Sequence, residues 1–297
     1  MSVYHQIFQR MDQPMLILRE KDHEVQIEDA NYAFLRLTGY TLAELRSRST
    51  PHLLQNYNID TTRQVLKSEV MLYTKLKRHL PVRIDQQPLP KEEDDDINRA
   101  FIVFEDLTSY KWIAEQAELN KVLISGIVDS HLHIRFLRDS VAPLLFEPDR
   151  TIEDETLMTF IADKEQEKLK LVLQEAYLLK KERSLTLQTS KLSGIELELS
   201  ITFTPILDGN GEVKEFAFVI WDLRAIDDKI ASSMKLKIWM AKRDVTAGHL
   251  SASTGISIQT ISKLRNGKIE KPQRLTAELV ASELQVDVHE IWPEIRK

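Results

Sequence analysis

Thr246-Ala247-Gly248-His249-Leu250-Ser251-Ala252-Ser253-Thr254-Gly255-Ile256-Ser257-Ile258-Gln259-Thr260-Ile261-Ser262-Lys263-Leu264-Arg265-Asn266-Gly267-Lys268 is the stretch that decides how the C-terminal part of this chain folds. Gly255 is placed to end one helix, because glycine takes the left-handed conformation of a tight inter-helix turn without a steric penalty. Ser257 follows with a hydroxyl suited to cap the next helix. Leu250, Ile261 and Leu264 recur at helical spacing and predict a shared buried edge, while the small Ser251 and Ala252 let the two helices cross closely. Asn266-Gly267 closes the second helix. Leu275, Leu279, Val280 and Leu284 then predict a further packing helix, and Val288, Ile291 and Trp292 complete a small all-helical core.

Working outward, the charge is unevenly distributed. The whole chain carries −6 at neutral pH, but the last 69 residues hold 12 lysines and arginines against 7 acids, about +5. The preceding residues therefore carry about −11. A basic tail on an acidic body is the asymmetry of a sensor joined to a polyanion binder. The 297 residues suit two or three domains. No run of eighteen apolar residues appears, and Met1-Ser2-Val3-Tyr4-His5-Gln6 lacks the pattern of a signal peptide, so a cytoplasmic location with no membrane contact is expected. The chain has no cysteine, which removes a disulfide framework, a thiolate metal site and a cysteine nucleophile. No glycine-rich nucleotide loop and no Ser-His-Asp or metal-ligand grouping is present, so no enzyme is expected: catalytic residues none, metal none.

The segment from about Leu236 to Trp292 resembles the lambda-repressor (Cro-type, XRE-like) helix-turn-helix family, through Gly-Ile-Ser-x-x-Thr-Ile-Ser-x-Leu-x-Asn-Gly-Lys at 255–268. That resemblance implies a DNA-binding set of Ser257, Ile258, Gln259, Thr260, Lys263, Arg265, Asn266 and Lys268. Ile258, Gln259, Thr260 and Lys263 would face the major groove. Gln259 would pair with adenine, and Ile258 or Thr260 would meet a thymine methyl. Ser257, Arg265, Asn266 and Lys268 would contact phosphates and fix position without specifying sequence. Ala247 departs from the family, which usually has a phosphate-contacting glutamine there, and Ile258 replaces a commoner polar residue.

Upstream, Met15-Leu16-Ile17-Leu18 and the alternating Val25 and Ile27 read as strands. Phe34 and Leu37 form a helical stripe that Gly39 stops, and Thr41 with Glu44 spells a capping box. Asn31-Tyr32-Ala33-Phe34, Leu37-Thr38-Gly39-Tyr40 and Glu44-Leu45 resemble the PAS family. Phe101-Ile102-Val103-Phe104 with Asp106-Leu107-Thr108 fits its last strand and exit motif. Glu92-Glu93-Asp94-Asp95-Asp96 reads as a solvated hairpin loop. A second segment repeats the plan. A helix from Glu165 to Ala176 precedes alternating strands in which Leu185, Leu187, Leu197, Leu199, Ile201 and Phe203 share one face. Asp208-Gly209-Asn210-Gly211 is a hairpin turn. Phe216 to Leu223 parallels the first exit strand, apolar on both faces. His131-Leu132-His133-Ile134 replaces the usual front strands, with no Asn-x-Ala-Phe. Ile113, Ala117, Asn120, Ile124 and Ile127, and again Leu223, Ile226, Ile230 and Met234, form stripes that predict connector helices pairing in a parallel dimer, Asn120 setting register.

The fold expected is therefore α+β: two PAS-like domains, each an antiparallel sheet flanked by helices, joined by helices to a small all-α domain. The expected segments are 1–110, a connector at 111–124, 125–223, a connector at 224–235, and 236–297. For the first domain the PAS resemblance implies a hollow walled by Leu16, Leu18, Ile27, Phe34, Leu37, Ile102 and Phe104; a core filled by the same side chains is the open alternative. The cofactor is unknown. A covalent flavin is excluded because its reactive cysteine has no counterpart, and haem is not expected although His52, His131 and His133 are the residue type it needs. The partners implied are double-stranded DNA carrying a palindromic operator, a second copy of the chain, and a small-molecule effector. Together these resemblances imply a cytoplasmic bacterial transcription regulator whose PAS domains dimerise and sense a signal. The alternative is a scaffold that only dimerises or recruits a protein partner, with constitutive DNA binding.

Overall fold

The computed structural model describes residues 2–47, 53–55, 57, 59–91, 96–139, 155–190, 196–226 and 230–295. The chain divides into two compact units, residues 1–112 with 206–215, and residues 113–205 with 216–297.

In the first unit the elements follow as α1 (Val3–Arg10), β1 (Met15–Lys21), β2 (Glu24–Ala30), α2 (Tyr32–Thr38), α3 (Leu42–Arg46), β3 (Leu54–Gln55), β4 (Val65–Tyr73), β5 (His79–Pro88), β6 (Asn98–Asp106) and α4 (Thr108–Leu119), the last running on past residue 112. The sheet has the order β2-β1-β6-β5-β4-β3. Buried Asn31 explains the motif it opens. Its Oδ1 accepts from the backbone of Met15 and Phe34, both at 2.9 Å. Its Nδ2 donates to the carbonyls of Gln13 at 2.8 Å and Met11 at 3.3 Å. One side chain thus caps α2 and ties it to the start of β1. Asparagine alone offers this donor–acceptor pairing at that length, since aspartate of the same size lacks the donors. Thr41 and Glu44 form the expected capping box on α3. Lys75 Nζ lies 2.7 Å from Glu44 Oε1. The lysine hydrogen bond, with the Thr41 backbone, lowers the Glu44 carboxyl to about 2.

The segment 206–215 belongs to this unit through specific contacts. The Gly209 N–H donates to the Arg36 carbonyl at 2.8 Å. A Cβ on Gly209 would lie 2.1 Å from the Gly39 nitrogen, so only glycine fits this approach. Ser109 Oγ donates to Glu215 at 2.6 Å. Lys214 Nζ reaches Asp106 Oδ2, the carboxylate that also accepts from the Thr108 backbone and hydroxyl.

The second unit holds β7 (Ile124–Asp129), β8 (Ile134–Asp139), a 3-10 turn at Leu157–Phe160, α5 (Asp163–Leu179), β9 (Arg183–Gln188) and most of β10 (Leu197–Leu207) and β11 (Val213–Ala225). Its sheet runs β8-β7-β11-β10-β9. That is the plan of the first sheet: an opening hairpin at one edge, the last strand against the first, then the remaining strands in reverse order. Leu197, Leu199, Ile201 and Phe203 are buried on one face as their alternation requires, and Phe216 to Ile220 are buried on both. Gly126 makes room for the Phe218 ring, which a Cβ would meet at 2.5 Å. The architecture is α+β, with two antiparallel-type sheets followed by helices.

Several expectations are corrected. The heptad stripe at 113–127 is no single helix: α4 stops at Leu119, and Ile124 and Ile127 lie in β7. The connector at 224–235 is no separate helix either, since β11 runs to Ala225 and the next helix opens at Ser232. Leu223 is therefore a strand residue, and the short coil read through it dissolves. The acidic run at 92–95 and His52 lie outside the described residues.

Candidate nucleic-acid interface

The C-terminal helices are α6 (Ser232–Arg243), α7 (Ala247–Thr254), α8 (Ile258–Arg265), α9 (Arg274–Glu283) and α10 (Val288–Ile291). They close on one core of Leu236, Met240, Leu250, Ile261, Leu264, Ala277, Val280, Leu284, Ile291 and Trp292. Thr246 caps α7 by accepting from the His249 backbone at 3.1 Å. Gly255 ends that helix with φ +71° and no atom within 4 Å of where its Cβ would stand, so its conformation, not crowding, calls for glycine. Ser257 caps α8, its Oγ accepting from the Thr260 backbone at 3.2 Å.

Two details differ from the sequence expectation. Leu275 and Leu279 are 67% and 39% exposed, and the buried face of α9 is instead Ala277, Val280, Ala281 and Leu284. Ala252 is exposed, while the Ser251 hydroxyl donates to the Ile256 carbonyl at 2.7 Å, bracing the turn between α7 and α8.

The packing of Ile261 and Leu264 fixes which face of α8 looks outward. Ile258, Gln259, Ser262, Lys263 and Asn266, with Lys268 just beyond, line a surface recess of about 450 Å³. Ile258 is 55% exposed. Thr260 is half-buried and its hydroxyl lies 2.9 Å from Ser257 Oγ, so it serves the cap rather than the recess. Arg265 is half-buried and outside the recess lining. Five of the eight expected residues thus come together. Ser262 joins them and was missed, although spacing of four from Ile258 and from Asn266 places it on their stripe.

The charges are sorted in the same way. Among the described residues Lys263, Arg265 and Lys268 have no carboxylate partner, whereas Lys271 pairs with Glu294 at 2.5 Å and Arg274 with Glu278 at 2.7 Å. His249 pairs with Glu283 at 2.9 Å. The cations left for an outside anion include those on and just after α8, beside the recess. An apolar tip, an amide, a hydroxyl and two ammonium groups on one helix face suit base edges flanked by phosphates.

Residues 235–292 match the family model of the Cro/C1-type HTH DNA-binding domain, and residues 2–69 match the PAS domain model. The chain carries a PAS domain and a Cro/C1-type helix-turn-helix domain. No curated protein matches it. Among solved structures, the PAS domain of nitrogen regulation protein NR(II) from Vibrio parahaemolyticus is 18% identical. That match covers 36% of this chain and 99% of the other, with a TM-score of 0.29. The PAS domain of an HTR-like protein from Haloarcula marismortui is 15% identical over 35% of this chain and 88% of that one, TM-score 0.29. A Rhodobacter sphaeroides LOV protein is 16% identical over 38% and 69%, TM-score 0.31.

In the PAS domain the seven expected pocket walls are all buried in one core: Leu16, Leu18, Ile27, Phe34, Leu37, Ile102 and Phe104. The Phe34 and Phe104 rings pack at 4.8 Å between centroids. A recess of about 820 Å³ opens elsewhere on this unit, lined by residues that include Arg10, Tyr32, Arg36 and Tyr40 and by none of the seven. Of the histidines weighed for haem, His133 lies 3.5 Å from Asp129, which also accepts from Arg135. Among the described residues no group of three or more His, Cys, Asp or Glu is placed to hold a metal, and no helix is long and apolar enough to cross a membrane.

Proposed function

We propose that this chain is a sequence-specific transcription regulator that binds a palindromic operator as a dimer, its PAS-type part pairing the two copies and sensing a small molecule or cellular signal. One observation carries the reading: α8 is capped, packed by Ile261 and Leu264, and turns an exposed stripe of Ile258, Gln259, Ser262 and Lys263 to solvent. One such helix reads only a few base pairs. Two of them about 34 Å apart double the contacts and reach useful specificity. The reading assigns the chain no chemistry of its own.

Operator selection from random duplex DNA with the full chain tests this, followed by footprinting of the winners. Two inverted half-sites one helical turn apart are expected. Enrichment of no sequence, or of one unrepeated half-site, overturns the reading.

The second reading, constitutive DNA binding with PAS domains that only dimerise or recruit a protein, has an observation of its own. The Phe34–Phe104 contact and the shared burial of the seven candidate walls fit a filled core better than a hollow one. Native mass spectrometry of the freshly purified chain separates the two: a retained small molecule supports sensing, and an empty protein with the same operator affinity in every metabolite mixture supports the scaffold.

A further inference from the structure

We infer that the Asp222–Lys242 ion pair is a positioning contact that fixes the orientation of the helix-turn-helix on the exit strand of the second sheet, and through it the half-site spacing the regulator accepts. This rests on the dimeric reading above and adds the element that sets the geometry.

Lys242 Nζ lies 2.6 Å from Asp222 Oδ1, with the two side chains only 18% and 29% exposed. The other oxygen, Oδ2, accepts from Arg224 Nε at 2.7 Å. Burial pushes the Asp222 carboxyl up, and the bonds from Lys242 and Arg224 outweigh it, so its net shift is downward. The Lys242 ammonium also sits 5.2 Å over the Trp239 ring, which restricts where it can go. Its neighbour Arg243 also lies over the Trp239 ring, at 5.8 Å, and donates to the Gln285 carbonyl at 3.1 Å, within the helix-turn-helix. Two consecutive residues in the last turn of α6 therefore bond two different partners, Asp222 on β11 and Gln285 in the DNA-binding domain.

Burial along α6 agrees. Leu236 and Met240 belong to the helix-turn-helix core. Ile238 is 6% exposed yet stands outside that core. At about 100° per residue it lies roughly 200° round the helix from Leu236. So α6 is covered on opposite sides and is no free-swinging tether. The first sheet offers a parallel: its exit-strand Asp106 also bonds the residue two places on, Thr108, and a lysine from far along the chain, Lys214. In each sheet an aspartate near the end of the last strand bonds a lysine from later in the chain.

The test uses the full chain as wild type, as Asp222→Asn, as Lys242→Met, and as the charge-reversed Asp222→Lys with Lys242→Asp. Each is measured on a single half-site and on operators whose half-sites are moved apart or together by one and two base pairs. Circular dichroism melting checks that each variant folds. Both single variants are expected to keep half-site affinity within about twofold, to lose about tenfold on the native spacing, and to show a flattened spacing profile; the reversed pair restores the sharp profile. A wild-type spacing profile in folded single variants overturns the inference and leaves the dimeric reading standing. Equal loss on the half-site also overturns it, by making the pair a support of the DNA-binding core alone. If the wild type itself ignores spacing, the dimeric reading fails and the inference with it.

Discussion

Replacing Lys268 by glutamine should change the salt dependence of DNA binding, and the size of the change follows from which cations are already neutralised. Lys263, Arg265 and Lys268 lack a carboxylate among the described residues, while Lys271 is held by Glu294 at 2.5 Å. In a dimer these three become six free cations at the two α8 helices. With a slope of about −0.9 per neutralised phosphate, log K should fall with log salt at about −5.4, or roughly a 2,000-fold loss of affinity between 50 and 200 mM salt. Lys268→Gln removes two of the six, so its slope should be shallower by about 2, and the same change in salt should cost it only about 150-fold. Lys271→Gln removes a charge that Glu294 already offsets and should leave the slope where it was. Fluorescence anisotropy on the operator and on a random duplex, at four salt concentrations, reads all three proteins. Because phosphate contacts position without specifying, the ratio of operator to random affinity should survive in Lys268→Gln. Equal slopes for Lys268→Gln and the wild type, or equal shifts for Lys268→Gln and Lys271→Gln, would show that the pairing pattern does not mark the phosphate contacts.

Gln259→Ala should do the opposite. It keeps the salt slope, relaxes selection at one base pair and costs about 1–3 kcal/mol of discrimination there, measured by repeating operator selection with the variant. Asn31→Ala should destabilise the first unit by about 2–4 kcal/mol in urea titration, since it removes a helix cap and strands buried backbone groups of Met15, Phe34 and Gln13. Glu44 has its carboxyl lowered to about 2 by Lys75 and the Thr41 backbone. The capping box should therefore stabilise the first unit fully above the ordinary carboxylate range and lose that contribution as pH falls from about 4.5 towards 2. Lys75→Met should flatten this acid limb in thermal melts, and an unchanged limb would remove the lysine from the account.

The features legible in the sequence were those decided within four or five residues. Gly255 and Ser257 announce their turn and cap because left-handed backbone and a capping oxygen are local requirements. Thr41 with Glu44, and Asp208 with Gly211, are read for the same reason. What escaped depends on partners distant in the chain. Ile124 and Ile127 stand three apart and mimic a helix, but β7 is buried on both faces, and such a strand loses the alternation that would reveal it. On α9 the two leucines dominate any hydrophobicity count, yet Ala277 and Ala281 face the core. The close approach of α7 selects small side chains there and leaves Leu275 to solvent. Ser262 escaped because serine carries no chemical signal of its own, although its spacing from Ile258 and Asn266 places it on their stripe.

The placement of the proposed DNA-reading face follows from the same division between local and distant requirements. Ile261 and Leu264 are spent on the core, Thr260 on the cap, and Arg265 sits half-buried at the edge. What remains on α8 is one stripe, Ile258-Gln259-Ser262-Lys263, and nothing in the fold of the domain requires those four side chains. Stability constrains the buried positions and leaves the stripe free to match a base sequence. The exposed Ile258 is the sharpest instance. A 55% exposed isoleucine at the first turn of a small domain's helix contributes little to folding. It is well suited to meet a thymine methyl once the helix lies in the major groove, where its apolar surface leaves water.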